Sequence, residues 1–281
     1  MSNRLGHCSY GKSRVRLTKV TRHAGLHEIR ELSIAVQLEG AFAASYTLGD
    51  NRQIITTDTM KNTVYALARN HPITAVEDFG LALAGHFMEN FDHVSASTIR
   101  LNEQSWQRMV VDGTEHPHAF VGGGSEERTS VIKRTQQGSR VESGVRGLRI
   151  LKTANSGFKG FLRDRYTTLP ATDDRIFATL LTARWRYGEG SVDWNHCHQL
   201  IRRTLLETFA KHKSLSVQQT LYAMATAALD SCTSIQQIRL AMPNLHHLLV
   251  DLGSFGLDNP NVVFVPTAEP YGLIMATVRR G

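Results

Sequence analysis

Between Leu151 and Thr179 the chain carries a phenylalanine, Phe158, a mixed charge cluster, Arg163, Asp164 and Arg165, and a further arginine, Arg175. An aromatic face and a planar guanidinium fork can hold a flat, anionic, hydrogen-bonding heterocycle, one at its face and the other at its edge. That pairing suggests a purine-sized ligand. The alternative is a surface loop whose Phe158 packs inward and whose charges are solvated. Three other side chains have the types that move protons: Lys12 beside Gly11, Thr57 in a Thr-Thr-Asp run with Asp58, and His246 in an Asn-Leu-His-His run. A lysine whose neutral form is favoured, relayed through a threonine hydroxyl, can take a proton from a bound acid. Each also has an ordinary reading: a solvated strand end for Lys12, a helix N-cap for Thr57 or Asp58, a core or edge histidine for His246. Spacing alone leaves open whether the three meet.

The elements that must position these residues follow one order twice. Residues 14 to 40 alternate as a strand pair about Gly25, with Val15 and Leu17 before it and Leu32, Ile34, Val36 and Leu38 after it. A helix starts near Thr57 with Met60, Val64 and Leu67 on one face. Another opens with Thr74 and Glu77 as a capping box and then buries Val76, Phe79, Leu83 and Phe87. Strand character returns over 93 to 111 and 117 to 135, and Gln136-Gln137-Gly138 reads as the midpoint turn. The second half predicts strands at 139 to 153 and 176 to 187, helices at 192 to 211 and 214 to 231, and strands at 235 to 251 and 262 to 279. The expectation is two α+β domains, 1–138 and 139–281, each an antiparallel sheet with helices on one face. Helix starts at Thr57 and at Ser216-Val217-Gln218 fall in matching places, and both expose N–H groups suited to an anion.

A chain of 281 residues with 41% hydrophobic content is globular, and 32 basic against 25 acidic residues favours anionic partners. No zinc-finger, RNP or basic-helix pattern accompanies the positive charge, and a small anionic substrate drawn in by a positive field explains it as well as nucleic acid does. No apolar run reaches the roughly 18 residues of a membrane span, and the N-terminus lacks a signal-peptide core. Three cysteines, Cys8, Cys197 and Cys232, fit free thiols in a reducing compartment.

Six blocks together resemble urate oxidase, the cofactor-independent uricase, over essentially the whole chain: YGKSRVRLTKV from Tyr10, TDTMKNTVYALAR from Thr57, SGFKGFLRDRYTTLPATDDRI from Ser156, VQQTLYAM from Val217, LAMPNLHHLLVDL from Leu240 and DNPNVVFVPTAEPYGLI from Asp258. The resemblance implies a proton-relay triad of Lys12, Thr57 and His246. It implies that urate stacks on Phe158, is gripped by Arg175 and Gln218, and meets backbone at Thr57, Asp58 and Val217, with Asn244 facing the dioxygen or water site. It further implies a tandem of two tunnelling-fold (ββααββ) domains, a homotetramer whose sheets form a β-barrel tunnel, and active sites between subunits. The implied reaction converts urate, dioxygen and water to 5-hydroxyisourate and hydrogen peroxide with no cofactor and no metal. Cys8 stands where the family pattern has asparagine, and the absence of a Ser-Lys-Leu-type ending favours a bacterial, cytoplasmic enzyme.

The competing reading is a non-oxidising purine or pterin binder, or a metal-dependent pterin enzyme, on the same fold. Gly122-Gly123-Gly124-Ser125 lacks Walker spacing and reads as a flexible loop. His116-Pro117-His118 and His196-Cys197-His198 lack the four ligands of a closed metal site. Trp185 and Tyr187, alternating with Arg184 and Arg186, read as a strand with one buried face.

Overall fold

A computed structural model describes residues 3–281. The chain divides into two compact units, one ending at Gly144 and the other beginning at Val145.

The first unit opens with β1 (Tyr10–His23) and β2 (Leu26–Gly40), joined by a tight turn. Then come α1 (Ala43–Leu48), α2 (Thr57–Asn70), α3 (Val76–Glu89), β3 (Val94–Val111) and β4 (Thr114–Thr135), and β5 (Gly138–Lys152) carries the chain across the boundary. The strands run β1-β2-β3-β4, and those pairings are antiparallel. Leu32, Ile34, Val36 and Leu38 alternate inward from β2 and meet Met60 and Val64 of α2 and Phe79, Leu83 and Phe87 of α3, all essentially inaccessible to solvent. A period of two on the strand and three to four on the helices therefore makes one core between sheet and helices.

Two local expectations for this unit fail. The α3 cap is Ala75 with no side-chain bond, because Glu77 points into the core, where it accepts from Arg128 at 2.6 Å and from Ser143 at 2.5 Å. A fully buried carboxylate needs such partners more than a helix end needs a box. The Gly122-Gly123-Gly124 run lies inside β4, where the register with β3 shifts between Gln104 and Trp106. Gly124 takes φ +90° there, and its carbonyl accepts from the Gln104 amide at 2.9 Å, so the glycines serve a bulge rather than a loop.

The second unit continues with β6 (Phe177–Tyr187), α4 (Trp194–Lys211), α5 (Val217–Ser231), β7 (Ile235–Leu245), the short β8 (His247–Leu249) and β9 (Phe264–Pro266), and β10 (Gly272–Arg279). Its main sheet runs β5-β6-β7-β10. Phe177, Leu181, Ala183 and Trp185 of β6, Ile238, Leu240 and Met242 of β7, and Ile201, Leu205, Leu221 and Met224 of the helices are all buried and supply the core of this unit. The two long final strands expected from sequence are broken, because the Asn259 amide bonds Val250 and Val263 carbonyls and accepts from the Val262 and Val263 N–H groups. That loop is closed by a two-stranded ladder pairing His247 with Pro266. β1 and β10 are edge strands, each hydrogen-bonded on one side only among the described residues.

Candidate functional site

In the first unit the site residues are placed by a bulge and a tether. Gly11 lies opposite Gln37, and a Cβ there would come within 1.9 Å of the Val36 carbonyl oxygen, so only glycine lets β1 lie this close to β2. Immediately after it Lys12 pairs with Val36, the register shifts between Lys12 and Val15, and Arg14 takes φ +58°. Tyr10 donates its hydroxyl to the Ile55 carbonyl at 3.0 Å and accepts from the Ile55 N–H at 2.8 Å. Burial pushes the Tyr10 pKa up, which keeps that donor protonated. The strand that carries Lys12 is thereby fastened to the segment that leads into α2. Tyr10 was not singled out from sequence, although it begins the block that carries Lys12.

The start of α2 separates structure from chemistry. Thr56, not Thr57 or Asp58, is the N-cap, its hydroxyl accepting from the Thr59 N–H at 3.0 Å. Thr57 is the first helical residue and half-buried, so its hydroxyl is not consumed by the cap. Asp58 pairs with Lys61, accepts from Asn62 at 2.9 Å, and titrates below the usual carboxylate range, chiefly through the Lys61 bond and in smaller part through the charge of Lys12. That last influence places Lys12 in the electrostatic neighbourhood of the helix start.

In the second unit Phe158 is held by reciprocal backbone bonds with Thr172, at 2.8 and 3.0 Å. The Arg175 guanidinium lies 5.2 Å from the Phe158 ring centroid, within cation–π range, and its burial lowers its pKa from the ordinary value. Phe161 lies nearly parallel to Phe158, centroids 5.0 Å apart and planes at 11°, the arrangement a planar heterocycle adopts against an aromatic ring. One oxygen of Asp174 accepts from both the Ser156 and the Arg175 N–H, at 3.0 and 3.1 Å, tying the two sides of the loop together. Asp174 and Phe161 were missed in the sequence, although both lie inside the block that carries Phe158 and Arg175. The rest of the charge cluster serves the loop itself: Arg163 covers Phe161, Arg165 covers Tyr166, and Asp164 accepts from the Tyr166 N–H and the Thr167 hydroxyl.

The α5 cap is Ser216, which accepts from the Gln219 N–H at 3.1 Å. Val217 and Gln218 therefore occupy the first turn, where N–H groups are available to an anion, with the Gln218 side chain exposed. Asn244, near the end of β7, pairs with Thr179 of β6 and Gly272 of β10. Leu245 pairs with Ala178, so His246 leaves the sheet at the end where Arg175 leads into β6. Its carbonyl accepts from the Thr267 N–H at 2.9 Å.

The structure thus gathers the predicted residues in two groups. Lys12, Thr57 and Asp58 belong to the first unit, and Phe158, Arg175, Val217, Gln218, Asn244 and His246 to the second. Among the described residues no group of three or more histidine, cysteine, aspartate or glutamate side chains is gathered as a metal site. His116 and His118 instead pack edge to face at 4.6 Å, and Cys197 contacts Cys232 with sulfurs 3.3 Å apart. No described helix is long and apolar enough to cross a membrane.

Comparison with known proteins fits this geometry. The uricase family model matches residues 8–133 and 141–275. The chain is similar to the uricase of Arthrobacter globiformis, 45% identical over 276 residues that cover 98% of this chain and 90% of the relative. It is also similar to the uricase of Oryctolagus cuniculus, 36% identical and covering 96% and 93%. A crystal structure of the Arthrobacter globiformis uricase superposes with a TM-score of 0.95 at 44% identity, covering 100% of this chain and 96% of that one. Two family-matched segments spanning nearly the whole sequence, on the same fold, establish that the chain belongs to the uricase family.

Proposed function

We propose that Lys12, Thr57 and His246 form the proton relay of a urate oxidase whose clamp is Phe158, Arg175, Val217, Gln218 and the backbone of Thr57 and Asp58. The chain is a urate oxidase: it converts urate, dioxygen and water to 5-hydroxyisourate and hydrogen peroxide in purine degradation. Urate is already an easily oxidised anion. Lys12, relayed through Thr57, removes a further proton, and the electron-rich dianion then donates electrons to dioxygen held near Asn244. Arg175 and the N–H groups at the starts of α2 and α5 face the charge that builds up, which is preorganised electrostatic stabilisation. Gln218 and Arg175 read the polar edge of the ring while Phe158 carries its face.

The single observation that carries this reading is the Arg175–Phe158 pair, a half-buried guanidinium 5.2 Å from an aromatic ring, with the Arg175 main-chain N–H held by the Asp174 carboxylate. The relay and the clamp meet, in our reading, between two copies of the chain in a homotetramer that closes the tunnelling-fold sheets into a β-barrel tunnel. Open edges on β1 and β10, and exposed apolar side chains such as Phe255 at 73% and Val262 at 70%, support such an assembly. We place the enzyme in the cytoplasm, where three free cysteines persist and to which a bacterial relative at 45% identity points.

Chelator-treated protein mixed with urate in air should remove the near-ultraviolet absorbance of urate and release one peroxide per urate. Tight urate binding without peroxide would instead favour a non-oxidising binder, which nothing in the comparisons supports. Sites shared between subunits are tested by coexpressing Lys12→Ala with Arg175→Ala and assaying at subsaturating urate, where each variant alone should fall far below the parent. Random mixing should restore about a quarter of the parental sites. No recovery in demonstrably mixed oligomers would place each site within one chain.

A further inference from the structure

Given the clamp assigned above to Phe158, Arg175, Val217 and Gln218, on which this depends, we propose that a partly buried hydrogen-bond chain, His212 to Thr220 to Ser214 to the Ser216 carbonyl, sets the spacing between the urate-stacking ring and the first turn of α5.

The direction of the chain follows from counting protons. The Thr220 hydroxyl donates to Ser214 Oγ at 2.8 Å, and the Ser214 hydroxyl donates to the Ser216 carbonyl at 3.1 Å. A hydroxyl has one proton, so at its 3.2 Å contact with His212 Nδ1 the Thr220 oxygen is the acceptor and the imidazole the donor. His212 therefore carries its proton on Nδ1. Burial first, and then the nearby charge of Lys152, lower its pKa and favour the neutral ring. Lys152 donates to the His212 carbonyl at 2.6 Å and lies over the Phe209 and Phe177 rings, which anchors the origin of the chain to the core of the second unit.

The other end of the chain reaches both sides of the clamp. Ser214 donates its N–H to the Asn155 carbonyl at 2.9 Å, and its own carbonyl accepts from the Gly157 N–H at 2.8 Å, one residue before Phe158. Its side chain meanwhile holds Ser216, the cap that orients Val217 and Gln218. A single residue, 1% exposed, thus fixes the ring segment through its main chain and the edge donors through its hydroxyl, and Thr220 behind it is 0% exposed. A slip at Ser214 changes the distance between face and edge recognition without touching Lys12 and Thr57 in the first unit. His212, Thr220 and Ser214 are accordingly positioning residues, not catalytic ones.

Thr220→Val keeps the volume and removes the hydroxyl, whereas Thr220→Ser restores it. Thr220→Val should raise KM for urate by about tenfold with kcat within about threefold, because it weakens binding of substrate and transition state alike. Thr220→Ser should return both constants close to the parent values. Arg175→Ala is measured alongside. If it raises KM and Thr220→Val does not, even with a lowered Tm, the positioning chain is overturned and the clamp stands. If Arg175→Ala leaves KM unchanged, the clamp assignment fails and the positioning chain with it. Should Thr220→Val not fold, Ser214→Ala, which removes the donor to Ser216, is held to the same thresholds.

Discussion

Substituting alanine at Gly11 tests whether the close approach of β1 to β2 is what places Lys12. The added Cβ would lie 1.9 Å from the Val36 oxygen, a backbone atom with no rotamer to retreat into. A carbon–oxygen contact relaxes only at about 3.3 Å, so the strand must move back by roughly 1.4 Å. The α-carbon of Lys12 is the next along the chain, about 3.8 Å away, and cannot stay where it was. Because β1 is an edge strand, it can retreat without opening the core, at the expense of one or two ladder hydrogen bonds worth about 1 kcal/mol each. That corresponds to a Tm loss of a few degrees, on the order of 2–8 °C. Misplacing a reacting amine by an ångström has a much larger kinetic effect, about a hundredfold in kcat. Steady-state turnover of Gly11→Ala should therefore fall far out of proportion to its thermal shift, while Gly6→Ala, which meets nothing within 4 Å, should match the parent in both. A Gly11→Ala enzyme with kcat within about threefold of the parent would refute the claim that this contact positions the lysine.

Three further outcomes are expected. Lys12→Ala and Thr57→Ala should each lower kcat by at least about a hundredfold while changing urate affinity little, and comparable loss in both constants would argue for a binding role instead. Glu77→Ala takes the carboxylate away from Arg128, whose side chain is only 12% exposed, and should destabilise the protein by about 3–5 kcal/mol, read as a fall of roughly 10 °C in Tm. Glu89→Ala, which breaks the more exposed pair with Arg134, is the control and should cost under about 1 kcal/mol. Thiol labelling of the native protein at neutral pH should modify half-buried Cys8 well ahead of the buried pair, since burial, reinforced by Cys232, pushes the Cys197 thiol up to about 11. Equal rates at all three cysteines would contradict the packing between α4 and the end of α5.

Much of the fold is legible where a period is strong. The alternation through Leu32, Ile34, Val36 and Leu38 and the stripe through Phe79, Leu83 and Phe87 specify strand and helix with little competition. What failed to show locally was decided by distant partners. Glu77 looks like half of a capping box until Arg128, 51 positions away, and Ser143, 66 positions away, supply a buried use for its carboxylate. The glycine run at 122–124 has the composition of a loop, and only the offset of the partner strand makes it a bulge. Helix α1 buries nothing, so it has no periodic face to find. For the proposed site, Lys12, Thr57, Phe158 and Arg175 rest on block resemblance, which works through contiguous motifs. It could not supply Asp174 or Ser214, because the Asp174 carboxylate bonds the Ser156 N–H and the Ser214 N–H bonds the Asn155 carbonyl, partners that only the folded loop brings within reach.

Two neighbouring threonines at the head of α2 divide their labour. Thr56 closes the helix and leaves the hydroxyl of Thr57 unemployed by the backbone. The buried residues Met60 and Val64 fix the register of α2, so moving the start one position downstream would unwind Thr57 from the helix and change the direction of its side chain. Replacing Thr56 with a residue that cannot cap would thus conscript Thr57 into structural service. The proton path proposed above would then depend on a side chain that takes no part in it, standing guard so that the adjacent one remains at liberty.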